Sequence, residues 1–234
     1  GKGTGYCKGK GGSMHIADPD IGILGANGIV AGGMGIAAGS ALSSKMRGTD
    51  QVTICFFGDG ATNEGAFHEA LNMAAIWDLP VVFVCENNLY GLTGPAEEML
   101  SVKDIAARAN SYDMPGVIVD GNDVLDVYET VGEAVKRARK GGGPSLIEAK
   151  TYRTKGHFVG DPELYRDQEE VEKWKKRCPI KKYKNHLIEN EGIDSKELDE
   201  LETKVKEEIK AAVKFAKESP EPELEVVFED VFSK

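Results

Sequence analysis

An apolar, strand-like run at residues 52–57 leads straight into Gly58-Asp59-Gly60-Ala61. In an open parallel sheet, ligands gather at the carboxyl ends of strands. A helix is expected to start near Glu64, and its first free N–H groups favour an anion there. An aspartate facing a phosphate is repelled unless a cation lies between them. Asp59 in such a loop therefore predicts a metal. Mg²⁺ fits best, as a hard ion that takes oxygen ligands at about 2.0–2.1 Å and shares them with phosphates. A second apolar run, 81–85, ends in Glu86-Asn87-Asn88-Leu89-Tyr90-Gly91. Asn88 falls 29 positions after Asp59, room for one strand–helix–strand unit, which places both at one edge of adjacent strands. The Asn88 amide oxygen would complement the carboxylate, and the Tyr90 carbonyl could add a third ligand. A dinucleotide fingerprint does not fit, because four residues separate Gly60 from Gly65 where that motif has two. The bland alternative for Asp59 is a helix-capping aspartate.

These residues need a scaffold, and the hydrophobic pattern supplies one. Short apolar runs at 52–57, 81–85, 117–119 and 146–147 read as buried parallel strands. Between them, Phe67, Leu71, Ala74 and Ala75 form one helical face, and Val124, Tyr128, Val131, Val135 and Ala138 another. A Gly/Ala-rich helix is expected over 29–45. Strands alternating with helices imply an α/β fold with a doubly wound parallel sheet. Residues 151–167 read as a loop rich in Gly, Arg and His. Beyond it the pattern turns helical and polar, with Leu198, Leu201, Val205, Ile209 and Ala212 on one face and Asp194 with Glu197 as a capping box. The expected division is an α/β domain over 1–168 and a helical C-terminal extension over 169–234.

A net charge of −10 argues against nucleic acid and against an anionic membrane surface, both of which need clustered Lys and Arg. No apolar run is long enough to cross a bilayer. Cys7, Cys55, Cys85 and Cys178 make no C-x-x-C pair and read as reduced thiols, consistent with a cytoplasmic location. The four histidines lack zinc spacing. His68 and His186 read as structural, whereas His15 and His157 lie in Gly-rich loops, where a site role and a plain surface role both remain open.

Gly-Asp-Gly followed at this interval by Asn-Asn resembles the signature of thiamine-diphosphate enzymes. The stretches 11–15, 27–30, 58–79 and 151–161 narrow the resemblance to the α subunit of 2-oxo acid dehydrogenase E1 components, with the acetoin dehydrogenase α subunit in the same group. That resemblance implies the thiamine-diphosphate-binding fold and a set of roles. Asp59, Asn88 and the Tyr90 carbonyl would ligate Mg²⁺, and the Gly60 and Ala61 amides would touch the diphosphate. Gly28 and Val30 would meet the aminopyrimidine through their backbones. His157 would sit by the reacting carbon and the diphosphate, on a loop ordered by Arg153 and Asp161. The implied reaction cleaves or decarboxylates a 2-oxo acid or acetoin and passes the acyl group to the lipoyl group of an acyltransferase, E2.

Departures from the family pattern qualify these expectations. The family's phosphate-binding Tyr-Arg pair would lie upstream of Gly1, so a fragment or cleavage product is expected. Lys155 stands where relatives often carry another His. Phe158 and Gly160 replace serines of the kinase-regulated relatives, which argues against phosphorylation of this loop. No residue here matches the glutamate that protonates the aminopyrimidine ring. The resemblance assigns it to an E1 β subunit, so the chain is expected to be inactive alone and to work in an α₂β₂ assembly. Two alternatives remain: half of a split transketolase-like enzyme, and a non-catalytic Mg²⁺–diphosphate binding module.

Overall fold

The computed structural model describes residues 1–229, 231 and 232. Two compact units are present: residues 29–185 form one, and residues 1–28 with 186–234 form the other. In the first unit, helix α1 (Gly32–Arg47) precedes strand β1 (Thr53–Gly58), helix α2 (Gly65–Ile76) and strand β2 (Val81–Asn87). A small hairpin of β3 (Tyr90–Gly91) and β4 (Gly94–Pro95) leads to the short helix α3 (Ala96–Met99). Strand β5 (Gly116–Asp120), helix α4 (Val124–Arg139), strand β6 (Ser145–Lys150) and helix α5 (Gln168–Lys175) follow, and helix α6 (Pro179–Asn190) begins in this unit and ends in the other.

The main sheet has the order β1-β2-β6-β5, and every neighbouring pair is parallel. Its two faces bury different helices. Met34, Ala37, Ala38 and Ala41 of α1 and Phe67, Ala70, Leu71 and Ala74 of α2 pack with Cys55, Phe57, Phe83, Cys85 and Leu146. On the opposite face Val82, Val84, Val119, Ile147 and Ala149 meet Ala134, with Val127, Val131 and Val135 of α4 packed alongside. Helices on both faces of a parallel sheet are the doubly wound α/β arrangement that the alternation implied. Phe67, Phe83, Leu71 and Leu146 are fully buried, and such burial stabilises by about 1.5–3 kcal/mol for each large side chain. The Asp123 carboxylate caps α4 by accepting from the Leu125 and Asp126 amides, a contact of about 1 kcal/mol.

The register sets up the chemistry. Gly58 pairs with Glu86 and Asn87 pairs with Lys150, so β1, β2 and β6 end at one level. Asp59, Asn88 and Thr151 are the next residues out, and all three leave from the same sheet edge. Two features escaped the hydrophobic pattern: the β3–β4 hairpin, whose strands are too short for any period, and a 3-10 segment over Ile105–Tyr112.

In the other unit, helix α7 (Ser195–Glu218) starts at Asp194, whose side chain accepts from the Lys196 amide. Leu201, Val205 and Ile209 of its apolar stripe are exposed. The chain's two end segments pair there. Lys2 bonds Glu221, the Gly3 amide donates to the Pro220 carbonyl at 3.0 Å, and Thr4 Oγ1 donates to Ser219 Oγ at 2.7 Å. Among the described residues no helix is long and apolar enough to cross a membrane.

Candidate active site

Asp59 opens a 3-10 turn, Asp59–Asn63, directly after β1. It is 2% exposed. Thr62 Oγ1 donates to its carbonyl at 2.7 Å, which tightens the turn. The first amides of such a turn have no partner within it, which leaves Gly60 and Ala61 suited to an anion. A Cβ on Gly60 would lie 3.3 Å from Gly91 Cα, and one on Gly91 would lie 3.3 Å from Gly60 Cα and 3.8 Å from Asp59 Oδ2. The two loops therefore approach backbone to backbone, and larger residues would push them apart.

Asn88 and Tyr90 lie on the facing loop. The Asn88 side-chain oxygen accepts the Tyr90 amide at 3.3 Å, and the Tyr90 carbonyl accepts from Arg153 Nη1 at 3.2 Å. Both bonds are long, and each oxygen keeps a second lone pair. Burial raises the Asp59 carboxyl above its ordinary value, while the backbone N–H groups of Asp59 and Asn88 and the Arg153 charge pull it back. A buried carboxylate is stable as an anion only with a cation or donors beside it. One carboxylate, one amide oxygen and one peptide carbonyl would together make an all-oxygen donor set of the kind that suits a hard divalent ion such as Mg²⁺. Among the described residues no three His, Cys, Asp or Glu side chains converge, so the remaining ligands to such an ion would be phosphate or water oxygens.

The loop after β6 supplies the rest. Arg153 donates through Nη2 to the Leu92 carbonyl at 2.6 Å and to the Tyr165 hydroxyl at 2.9 Å. Its Nη1 also lies 3.1 Å from His157 Nδ1. An arginine only donates, so Nδ1 is the acceptor and a neutral His157 carries its proton on Nε2. Asp161 closes the loop. Its Oδ2 accepts the His157 amide and the Tyr165 hydroxyl, each at 2.8 Å, and its Oδ1 accepts the Glu163 amide at 2.9 Å. The amides of Glu163 and His157 hold the Asp161 carboxyl below the usual range. A Cβ on Gly156 would lie 2.7 Å from Asp161 Cβ, so the turn depends on glycine there.

Beneath the Tyr90 carbonyl lies a polar-aromatic block that the sequence reading missed. The Tyr90 and Tyr152 hydroxyls both donate to Glu170 Oε2, at 2.7 and 3.0 Å. The Arg166 side chain, 1% exposed, stacks over the rings of Tyr90, Tyr152 and Tyr165, bonds the Arg153 carbonyl and pairs with Glu163 at 2.5 Å. The available signal was the Tyr-Arg dipeptide at 152–153, repeated at 165–166. Glu170 gave no signal, since a glutamate in a polar helix reads as solvated.

Asp59, Gly60, Asn88, Tyr90, Arg153, His157 and Asp161 are thus joined in one unit, with Ala61 buried in the same turn as Asp59 and Gly60. Val30 is exposed just ahead of α1, and Gly28 closes the first segment of the other unit, with the place of its absent Cβ 3.6 Å from Met14 Sδ. His15 is exposed, and its carbonyl accepts from Cys7 Sγ at 3.3 Å. Burial pushes the Cys55 thiol up to about 11 and raises that of Cys85 further, so neither is a nucleophile at neutral pH.

Known proteins place this geometry in context. The chain is 53% identical over 233 residues to the α subunit of acetoin:2,6-dichlorophenolindophenol oxidoreductase of Bacillus subtilis, covering 99% of this chain and 69% of that protein. It is 44% identical over 231 residues to the pyruvate dehydrogenase E1 component α subunit of Porphyra purpurea, covering 96% and 67%. The Cupriavidus necator acetoin:2,6-dichlorophenolindophenol oxidoreductase α subunit is 44% identical over 233 residues, covering 99% and 70%. Residues 2–225 match the family described as dehydrogenase E1 component. The chain belongs to the dehydrogenase E1 component family and is similar to its pyruvate and acetoin dehydrogenase α subunits.

Proposed function

We propose that this chain is the α subunit of a thiamine-diphosphate- and Mg²⁺-dependent E1 enzyme acting on pyruvate or acetoin. The observation that supports this is the buried Asp59 carboxylate beside the Asn88 backbone and Gly91 at one sheet edge, in a member of this family. The Asp59 carboxylate, the Asn88 amide oxygen and the Tyr90 carbonyl would hold Mg²⁺. The Gly60 and Ala61 amides would face the diphosphate, and the backbone of Val30 would meet the aminopyrimidine. When bound, the cofactor supplies a nucleophilic carbon that attacks a carbonyl and a ring that takes up the released electron pair.

The chain's own work is to bind, orient and move a proton. Arg153 holds the Tyr90 carbonyl and fixes the His157 tautomer. His157 then presents an Nε2–H, able to donate to an oxygen of the substrate carbonyl or of the diphosphate. An E1 β subunit supplies the glutamate for the far ring of the cofactor in an α₂β₂ assembly, and the acyl group goes to the lipoyl group of an acyltransferase. The relatives' names favour pyruvate and acetoin, and family membership favours this reading over a split transketolase. A cytoplasmic location goes with it.

The test is turnover by the full protein purified with its β subunit, supplied with thiamine diphosphate and Mg²⁺. Pyruvate- or acetoin-dependent reductive acylation of lipoamide is expected, and neither subunit alone should support it. Cofactor binding without turnover on either substrate would instead favour a non-catalytic binding module.

A further inference from the structure

A carboxylate with no assigned role lies at the centre of the sheet. Glu148, in the middle of β6, has 0% exposure. A buried carboxylate is costly, and an apolar residue of similar volume would often leave a protein more stable. Its hydrogen bonds indicate what it does. Glu148 Oε1 accepts from Asn87 Nδ2 at 2.7 Å, and Oε2 accepts from the Ala106 amide at 2.9 Å. Lys150 Nζ stands 3.9 Å from Oε1 and also pairs with Asp104.

An ionised carboxylate only accepts, whereas a carboxamide has a donor end and an acceptor end. Glu148 therefore decides which way the Asn87 amide points: its NH₂ faces inward and its oxygen outward. That oxygen accepts the Leu89 amide at 3.2 Å. Leu89 has φ +71°, a left-handed conformation costly for a branched side chain. The turn it makes carries Asn88 and Tyr90. The Asn87 backbone is tied as well, its carbonyl accepting the Thr151 amide at 2.9 Å. The Ile105–Tyr112 segment, anchored on Glu148 through Ala106, reaches the other half of the site, where Arg108 bonds the Thr62 carbonyl. One buried carboxylate is thus tied to both loops that carry the proposed metal ligands.

We propose that Glu148 is a positioning residue for the divalent-cation site: by orienting the Asn87 amide it holds the strained Leu89 turn and so the aim of Asn88 and the Tyr90 carbonyl. This rests on the function proposed above. It does not require Glu148 to touch metal, cofactor or substrate.

The test exchanges the polarity of the pair. In Glu148→Gln one of the two inward-facing donors, Asn87 Nδ2 or the Ala106 amide, meets an NH₂ group. Adding Asn87→Asp restores complementarity: the glutamine NH₂ donates to the new carboxylate, which still accepts the Leu89 amide. Mg²⁺-dependent thiamine diphosphate binding is measured by calorimetry in the full protein purified with its β subunit, together with the fraction folded. Glu148→Gln should weaken binding by about 10–100-fold, the range typical of groups that orient ligands, and the double variant should recover most of that loss. If the folded single variant binds as wild type does, or if the double variant binds no better than the single, the inference is wrong. If Glu148→Gln does not fold, the double variant decides: folding with near-wild-type affinity supports the role, and failure overturns it. Failure of the wild type to bind would instead overturn the parent reading.

Discussion

Arg153 Nη1 lies 3.1 Å from Nδ1 of His157 and also donates to the Tyr90 carbonyl at 3.2 Å. One side chain thus links the proposed metal ligand to the proposed proton donor. Lysine is a single point charge and cannot reproduce the fork. Arg153→Lys should lower kcat by about 10–100-fold and free the His157 proton to populate Nδ1. Imidazole ¹⁵N shifts check the tautomer. An unchanged Nε2–H tautomer in the variant would contradict this assignment.

Tyr90 should divide into two separable parts. Its hydroxyl serves the Glu170 block, and its carbonyl serves the site. Tyr90→Phe removes one hydrogen bond to a carboxylate and should cost about 1.5–3 kcal/mol of stability, read by denaturant unfolding. Cofactor affinity in the folded variant should stay within about threefold of wild type, a difference of under 1 kcal/mol. A tenfold or larger loss of affinity would place the side chain itself in the site.

Without a cation, the Asp59 charge opposes folding. Burial raises its folded pKa above the unfolded value. The protonated form is therefore favoured by folding, and stability from this group is full at low pH and lost as pH rises through the raised value. Asp59→Asn should raise the melting temperature of the metal-free protein near neutral pH and have little effect below the ordinary aspartate range. Melting curves across that range, with chelator present, decide it. Lower stability of the variant at neutral pH would be the contrary outcome.

The 153–166 loop should respond to pH in the opposite sense. The Asp161 carboxyl is held low by the amides of Glu163 and His157. Its contribution to loop order is present above the ordinary carboxylate range and lost as pH falls through the lowered value. Proteolysis in the loop should be slow at neutral pH and accelerate under acid. Asp161→Asn should be cleaved faster than wild type at neutral pH, because the amide that replaces the carboxylate holds the His157 and Glu163 amides and the Tyr165 hydroxyl less tightly. Equal rates for the two proteins at neutral pH would show that Asp161 does not close the loop.

Much of this architecture was legible in the sequence, and the gaps have physical causes. The strand into Gly58-Asp59 stands out as a continuous apolar run, although its Ile54 and Phe56 are exposed, and the helical faces around Phe67 and Val131 stand out because burial imposes a period. The placing of Asp59 and Asn88 at one sheet edge follows from the spacing of one strand–helix–strand unit. Strand β6 read as only Leu146–Ile147 because Glu148 looked like the end of a buried run, although it lies at the heart of one. Its partners, Asn87 and the Ala106 amide, are brought to it by the sheet register and the 105–112 segment, which no local pattern reports. Tyr152, Tyr165, Arg166 and Glu170 escaped for a similar reason. Each is an ordinary loop or helix residue in sequence, and only their contacts around Tyr90 show that they form one cluster.

The most direct test of the central claim is a calorimetric titration of thiamine diphosphate into the full protein with its β subunit, with and without Mg²⁺, for wild type and Asp59→Ala. Wild type should bind only with Mg²⁺, and Asp59→Ala should lose affinity by at least about 100-fold, near 2.7 kcal/mol, while remaining folded. Undiminished Mg²⁺-dependent binding by a folded Asp59→Ala variant would contradict the assignment of Asp59 as the metal-holding carboxylate.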